Sequence, residues 1–244
     1  MPRWRLALLL GPGLLVGGAI GNIVGVVGAR RTAKRLRLPH ELDGLVQPLD
    51  AATDAEPLRL LTLGDSAMAG DGIQDPDLTL PRQVASQLAT ATTRSVVVEQ
   101  RAVSGHTTGD VAGQLVPHPH PPPDVIVVSA GVNDGLKRRP LQTIRQDTVD
   151  MVRAIRAVAP DARIVLVGAP DLRYAPALPQ PLRRLVGWLT GRVGRAQAGW
   201  LAEHGVDVDV VEIGTPASDF GPDGFHPGPT ATPTIAGWIV DRLA

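Results

Sequence analysis

Apolar runs and mixed-polarity segments alternate along most of the chain. LRLLTL (58–63) has the apolar density of a buried strand, and PRQVASQLATAT (81–92) predicts a helix. SVVVEQRAV (95–103) predicts a second strand, with a short helix at 108–115, before the proline-rich HPHPPP (118–123) leads into DVIVVS, a strand at 124–129. In LQTIRQDTVDMVRAIRAVA (141–159), residues Leu141, Ile144, Thr148, Met151, Val152, Ile155 and Val158 keep helical spacing on one face. RIVLVG (163–168) is the fourth strand, and 181–205 is a helix with Leu182, Leu185, Leu189, Val193, Ala196 and Trp200 on one side. VDVDVVEI (206–213) is the last strand, and the final helix carries Ile235, Ile239 and Leu243.

Strands separated by helices imply right-handed crossovers. The expected fold class is therefore α/β: a three-layer, doubly wound sandwich around a five-stranded parallel sheet. The uncharged stretch at 125–130 suits a strand covered on both faces.

The chain outside this domain has a different pattern. No charged residue occurs from Leu6 to Ala29, a length that spans a hydrocarbon core of about 30 Å as a helix. Gly17, Gly21 and Gly25 recur every fourth residue, on one helix face. Residues 1–37 are read as a membrane anchor with a basic flank; a cleaved signal is the weaker alternative, because Arg30 and Arg31 directly follow the cleavage-like Val27 and Ala29. Five basic residues follow the apolar segment and two precede it, which leans toward a cytoplasmic main domain. Residues 38–57 mix Pro, Gly, Asp and Ala without periodicity and read as a linker, leaving 58–244 as the domain.

Charge sharpens this division. Seven of the chain's 24 basic residues and none of its 24 acidic ones lie in 1–37, so the remainder holds 17 basic against 24 acidic. An acidic main domain argues against nucleic acid as a partner. Absence of cysteine excludes a disulfide framework, a thiolate metal site and a cysteine nucleophile. The turn after Leu63 lacks both glycine-rich phosphate-binding patterns, which ranks nucleotide binding low.

In a doubly wound sheet, functional groups gather beyond the carboxyl ends of the strands. Four segments meet that requirement: Ser66 in GDS, Gly105 in AVSGHTT, Asn133 in SAGVNDG, and Asp223 with His226 in GPDGFHPG. Together they hold a hydroxyl nucleophile, an imidazole base, a carboxylate and amide donors, the parts of a serine acyl hydrolase.

In that order, the four segments resemble the blocks of the SGNH (GDSL-type) hydrolases, and the resemblance runs over residues 58–243. YAPALPQPLRRLVG (174–187) further resembles the actinobacterial branch, whereas Ala67 departs from the leucine of the GDSL name. The resemblance implies Ser66 as nucleophile, His226 as general base and Asp223 as its orienting partner. It implies an oxyanion hole from the backbone N–H groups of Ser66 and Gly105 and the side-chain amide of Asn133. No cofactor and no metal are implied. The expected substrate is a small-molecule, lipid or O-acylated glycan ester, with an acyltransferase or a non-catalytic binding module as rival functions on the same scaffold.

Several residues have plainer readings. Asp65 and Asp134 are expected to fix loops as hydrogen-bond acceptors. His106 is the rival base, and Asn133 could serve only its turn. His118 and His120 lack a third ligand nearby and are read as solvated. Arg183, Arg184, Arg192 and Arg195 are read as the solvated face of the 181–205 helix, with a contact to an acidic or phospholipid headgroup as the sharper alternative.

Overall fold

A computed structural model describes residues 42–48, 55–213 and 220–243. The expected anchor or signal at 6–29 lies outside the described residues, as does much of the expected linker. Among the described residues, no helix is long and apolar enough to cross a membrane.

The strands are β1 (Gly44–Val46), β2 (Leu58–Gly64), β3 (Val96–Gln100), β4 (Val125–Ser129), β5 (Arg163–Val167) and β6 (Asp209–Val211). The helices are α1 (Leu80–Thr92), α2 (Val132–Leu136), α3 (Leu141–Val158), α4 (Leu182–Glu203) and α5 (Ala231–Leu243). Their sheet has the order β1-β3-β2-β4-β5-β6. The five predicted strands pair in parallel, as expected. The sheet as a whole is mixed, because Gly44–Val46, inside the stretch read as a linker, pairs antiparallel with β3 at one edge.

Strand alternation divides the core into two layers. Leu60, Val125, Val127, Val165 and Val167 pack on one face with Val84 and Leu88 of α1 and Ile235 and Ile239 of α5. Leu61, Leu63, Ile126, Val128, Ile164 and Leu166 pack on the other with Val149, Val152 and Ile155 of α3 and Leu201 of α4. All five residues of β4 are buried, in keeping with its lack of charge.

Four local boundaries differ from the sequence pattern. The last strand pairs only over Asp209–Val211, since at the sheet edge it has a single neighbour, β5. The strand expected over 95–103 pairs only to Gln100, and the chain then turns toward the site. The segment 108–115 forms a 3₁₀ helix rather than an α-helix. Residues 132–136, which read as turn chemistry, form the one-turn helix α2.

Candidate active site

β2 delivers the nucleophile candidate. At its end Gly64 adopts φ +121°, and a Cβ there would lie 2.1 Å from the Ser129 carbonyl oxygen. Glycine is therefore required for β2 and β4 to close while the chain turns outward. Gln114 holds both sides of this residue: its Oε1 accepts from the Gly64 N–H and its Nε2 donates to the Gly64 carbonyl, each at 2.7 Å. The next residue, Asp65, accepts from Ser129 Oγ at 2.7 Å and from the Ala67 N–H at 3.2 Å. Ser66 is thus carried on a turn fixed at its two preceding residues.

Asp223 and His226 occupy a tight turn between β6 and α5. Asp223 Oδ1 accepts from the Phe225 and His226 N–H groups at 2.9 and 3.1 Å. Its Oδ2 accepts from His226 Nδ1 at 2.5 Å, while His226 Nε2 lies 2.8 Å from Ser66 Oγ. A carboxylate facing Nδ1 selects the tautomer with hydrogen there, which leaves the Nε2 lone pair for the serine hydroxyl. Burial alone would push the Asp223 carboxyl up, but hydrogen bonding and charge from His226, with the backbone donors, hold it below its ordinary value.

The oxyanion candidates sit on two loops tied to each other. Asn133, on α2, donates from Nδ2 to the His106 carbonyl at 2.9 Å, leaving its second amide hydrogen uncommitted by that bond. Beside it, buried Asp134 Oδ2 accepts from the N–H and Oγ1 of Thr108, both at 2.9 Å, and Oδ1 accepts from Arg139 at 2.7 Å. Lys137 Nζ donates to the Gly105 carbonyl at 3.1 Å. Gly105 itself has φ +85°, a left-handed conformation that aims its peptide. Among the described residues, the backbone N–H groups of Ser66 and Gly105 engage no acceptor.

Ser66, Gly105, Asn133 and His226 all line one cavity of about 400 Å³. Its lining includes the apolar Leu136, Leu178, Leu182, Val186, Leu189 and Phe225 and the polar Asp71, Ser104, Lys137 and Arg138. Ser104 Oγ donates to Asp71 Oδ2 at 2.7 Å.

The structure brings together all five residues expected at the site. It also separates the rival base from the serine hydroxyl's partner. His106 Nδ1 accepts from Gln114 Nε2 at 3.0 Å, and Asp110 caps its own 3₁₀ helix through Thr107. Asp65 and Asp134 act as loop-fixing acceptors, as expected. His118 and His120 are exposed, and among the described residues no group of three or more His, Cys, Asp or Glu could hold a metal ion. Gln114, Ser129, Asp71 and Ser104 escaped the sequence analysis. Their partners lie 33 to 64 residues away, and no local spacing marks them.

Burial pushes the Asp65 carboxyl up, against lowering by Ser129, Ala67 and His226, while the charge of Asp134 adds to the rise. The folded state therefore binds this proton more tightly than the unfolded chain does. Stability falls as pH rises from the ordinary carboxylate range through the raised folded value. Asp65→Asn keeps an acceptor oxygen for Ser129 and Ala67 and carries no charge. Its thermal midpoint should exceed that of the native protein at neutral pH, and the gain should vanish in acid. A midpoint lowered at both pH values would contradict this.

Comparison with known proteins agrees with the geometry. Residues 62–231 match the GDSL-like lipase/acylhydrolase family. A GDSL-like esterase of Mycobacterium tuberculosis is 31% identical over 184 residues, which cover 71% of this chain and 58% of that protein. The chain thus spans little more than half the length of this relative. Among solved structures, the M. smegmatis aryl esterase superposes with a TM-score of 0.59 at 20% identity, over 76% of this chain and 98% of that one. A lipase from a goat rumen metagenome gives a TM-score of 0.60 at 15% identity, over 76% and 97%. At such identities these two show likeness of fold. The length of the family match, with its blocks on the ends of the strands, places this chain in the GDSL-like lipase/acylhydrolase family.

Proposed function

We propose that the chain is a serine esterase that cleaves carboxylic acyl esters, of lipid or O-acylated glycan type, through an acyl-enzyme. The observation that carries this reading is the relay from Ser66 Oγ to His226 Nε2 at 2.8 Å and from His226 Nδ1 to Asp223 Oδ2 at 2.5 Å. Ser66 Oγ attacks the ester carbonyl as its proton passes to His226 Nε2. The carbonyl oxygen becomes an oxyanion that receives N–H groups from Ser66, Gly105 and Asn133. Collapse expels the alcohol, which takes the proton from His226, and water repeats the sequence to release the acid and free Ser66. Asp223 keeps the imidazole in the required tautomer and stabilises its charged form.

The apolar part of the cavity's lining supports an ester with an apolar acyl part. Leu178, Leu182, Val186 and Leu189 offer such a chain a dry surface, and Asp71 and Ser104 offer hydrogen-bonding groups to an alcohol. The Mycobacterium tuberculosis relative is named an esterase, which supports ester cleavage as the reaction. The test is labelling by a fluorophosphonate, together with hydrolysis rates across p-nitrophenyl esters from acetate to palmitate. The native protein should label and Ser66→Ala should not, and kcat/KM should rise from acetate toward longer chains before falling. A folded protein that neither labels nor turns over any ester would leave only a non-catalytic binding role. Turnover that favours acetate throughout would remove the apolar lining from substrate binding.

A further inference from the structure

The outward side of α4 has a composition that the ester-cleaving site does not use. From Leu182 to Ala202 the helix carries four arginines and no acidic residue, although beyond residue 37 the chain holds 17 basic against 24 acidic residues. Leu185 and Trp188 stand 43% and 50% exposed on this helix. They are three residues apart, so they lie on one face, and Arg192 follows Trp188 by one turn. The Arg192 guanidinium lies over the Trp188 ring at 4.5 Å.

Several arginines elsewhere meet carboxylates, and Arg94, Arg153 and Arg156 donate to backbone carbonyls. Arg139 pairs with Asp134 and Asp147, Arg145 with Glu203, and Arg173 with Asp171. Among the described residues, no carboxylate pairs with Arg184, Arg192 or Arg195. Arg183 is different, since it donates to the Leu178 and Pro176 carbonyls. Three exposed cations thus flank two exposed apolar side chains. Leu182, Val186 and Leu189 of the same helix line the cavity beside Ser66.

We propose that this face of α4 docks on an anionic lipid surface and sets the mouth of the cavity against it. Trp188 and Leu185 would enter the zone between headgroups and acyl chains, where an amphipathic indole is favoured. Arg184, Arg192 and Arg195 would meet lipid phosphates, to which a guanidinium can donate two hydrogen bonds at once. A second copy of this chain is a poor occupant, because a two-fold pairing of the face would oppose arginines to arginines. Zwitterionic lipid would satisfy the apolar pair and offer phosphates, but it lacks the negative surface potential that draws three cations to an anionic surface. The position of Leu189 gives the docking a consequence: an acyl chain leaving the lipid surface would meet the apolar lining directly.

The test uses the full chain and its Ser66→Ala variant, with vesicles of phosphatidylcholine alone or with about a third phosphatidylglycerol. Quenching by brominated acyl chains reports the depth of Trp188, taken as the difference between the native protein and Trp188→Phe. Attachment through another part of the chain does not mimic this signal. Quenching should appear with anionic vesicles, fall at high salt, and persist in Ser66→Ala. Each arginine near such a surface contributes about fivefold to binding, so Arg184→Gln/Arg192→Gln/Arg195→Gln together should weaken it by at least about tenfold. Hydrolysis of a soluble short-chain ester should be unchanged in that variant. The proposal is overturned if Trp188 is not quenched, or if quenching is the same with neutral vesicles and indifferent to the triple substitution. It is also overturned if the triple variant alters only the oligomeric state in sedimentation, which would make the face a protein contact. Loss of the esterase reading alone would appear as failure to label Ser66, with the vesicle signal intact.

Discussion

Replacing His226 by alanine should lower kcat by about 10⁴- to 10⁶-fold in a protein that remains folded. Among the described residues no other imidazole contacts Ser66 Oγ, and His226 Nε2 lies 2.8 Å from it. Without the base, the hydroxyl must lose its proton to water while the oxyanion donors remain, which is why some catalysis should survive. Asp223→Asn should cost about 10⁴-fold by a different route. An amide nitrogen facing Nδ1 selects the opposite tautomer, which places a hydrogen on Nε2 where a lone pair is needed. His106→Ala should keep most of the activity, since His106 Nδ1 is occupied by Gln114. Comparable losses for His106→Ala and His226→Ala would overturn the assignment of the base.

The Asp223 variant has a second signature. The native carboxyl is held below its ordinary value by His226 and the turn's N–H groups, against the opposing effect of burial. A depressed folded value contributes stability that is present above the ordinary carboxylate range and is lost as pH falls through the folded value. The destabilisation of Asp223→Asn should therefore be largest at neutral pH and shrink in acid. A pH-independent difference would assign the loss to packing.

The residues of the site were legible because each follows a strand whose apolar run is itself legible. Leu60 to Leu63 and Val125 to Val128 could hardly be read as anything but buried strands, so the groups beyond them share one edge. The spacing of Asp223 and His226 also contains its geometry, because three residues close one turn. Strand β1 shows where legibility ends. Three residues, Gly-Leu-Val, are too few to display an alternation of period two, and their pairing with Val96–Val98 depends on a neighbour 50 residues away. α2 was hidden for the opposite reason: Asn-Asp-Gly favours a turn locally, and the helix forms with Asp134 anchored to Thr108 and Asn133 to His106. Gln114 had no sequence signature at all. Its role exists only because Gly64 presents both backbone groups to it.

Asn133→Ala should lower kcat by about 100- to 1000-fold with little change in KM. The ground-state carbonyl gains little from this donor, whereas the tetrahedral oxyanion concentrates charge where the second Nδ2 hydrogen can reach it. One hydrogen of that amide is already given to the His106 carbonyl at 2.9 Å, so the side chain is oriented before substrate arrives. The same bond supplies the competing explanation, in which Asn133 merely joins two loops. Asn133→Asp should be at least as damaging as alanine, because a carboxylate offers no hydrogen to either the oxyanion or the His106 carbonyl. It tests the need for a donor at this position without telling the two acceptors apart. Asn133→Gly tests only a backbone role for this position, which glycine should tolerate; glycine replaces neither a donor to the oxyanion nor the brace to the His106 carbonyl. Fluorophosphonate labelling adds a readout independent of deacylation, since attack by Ser66 on phosphorus also builds negative charge on oxygen. In Asn133→Ala, labelling should slow along with kcat while the thermal midpoint shifts modestly. A folded Asn133→Ala protein with native kcat would leave the oxyanion to Ser66 and Gly105 alone, and would reduce Asn133 to a brace between the 105–108 loop and α2.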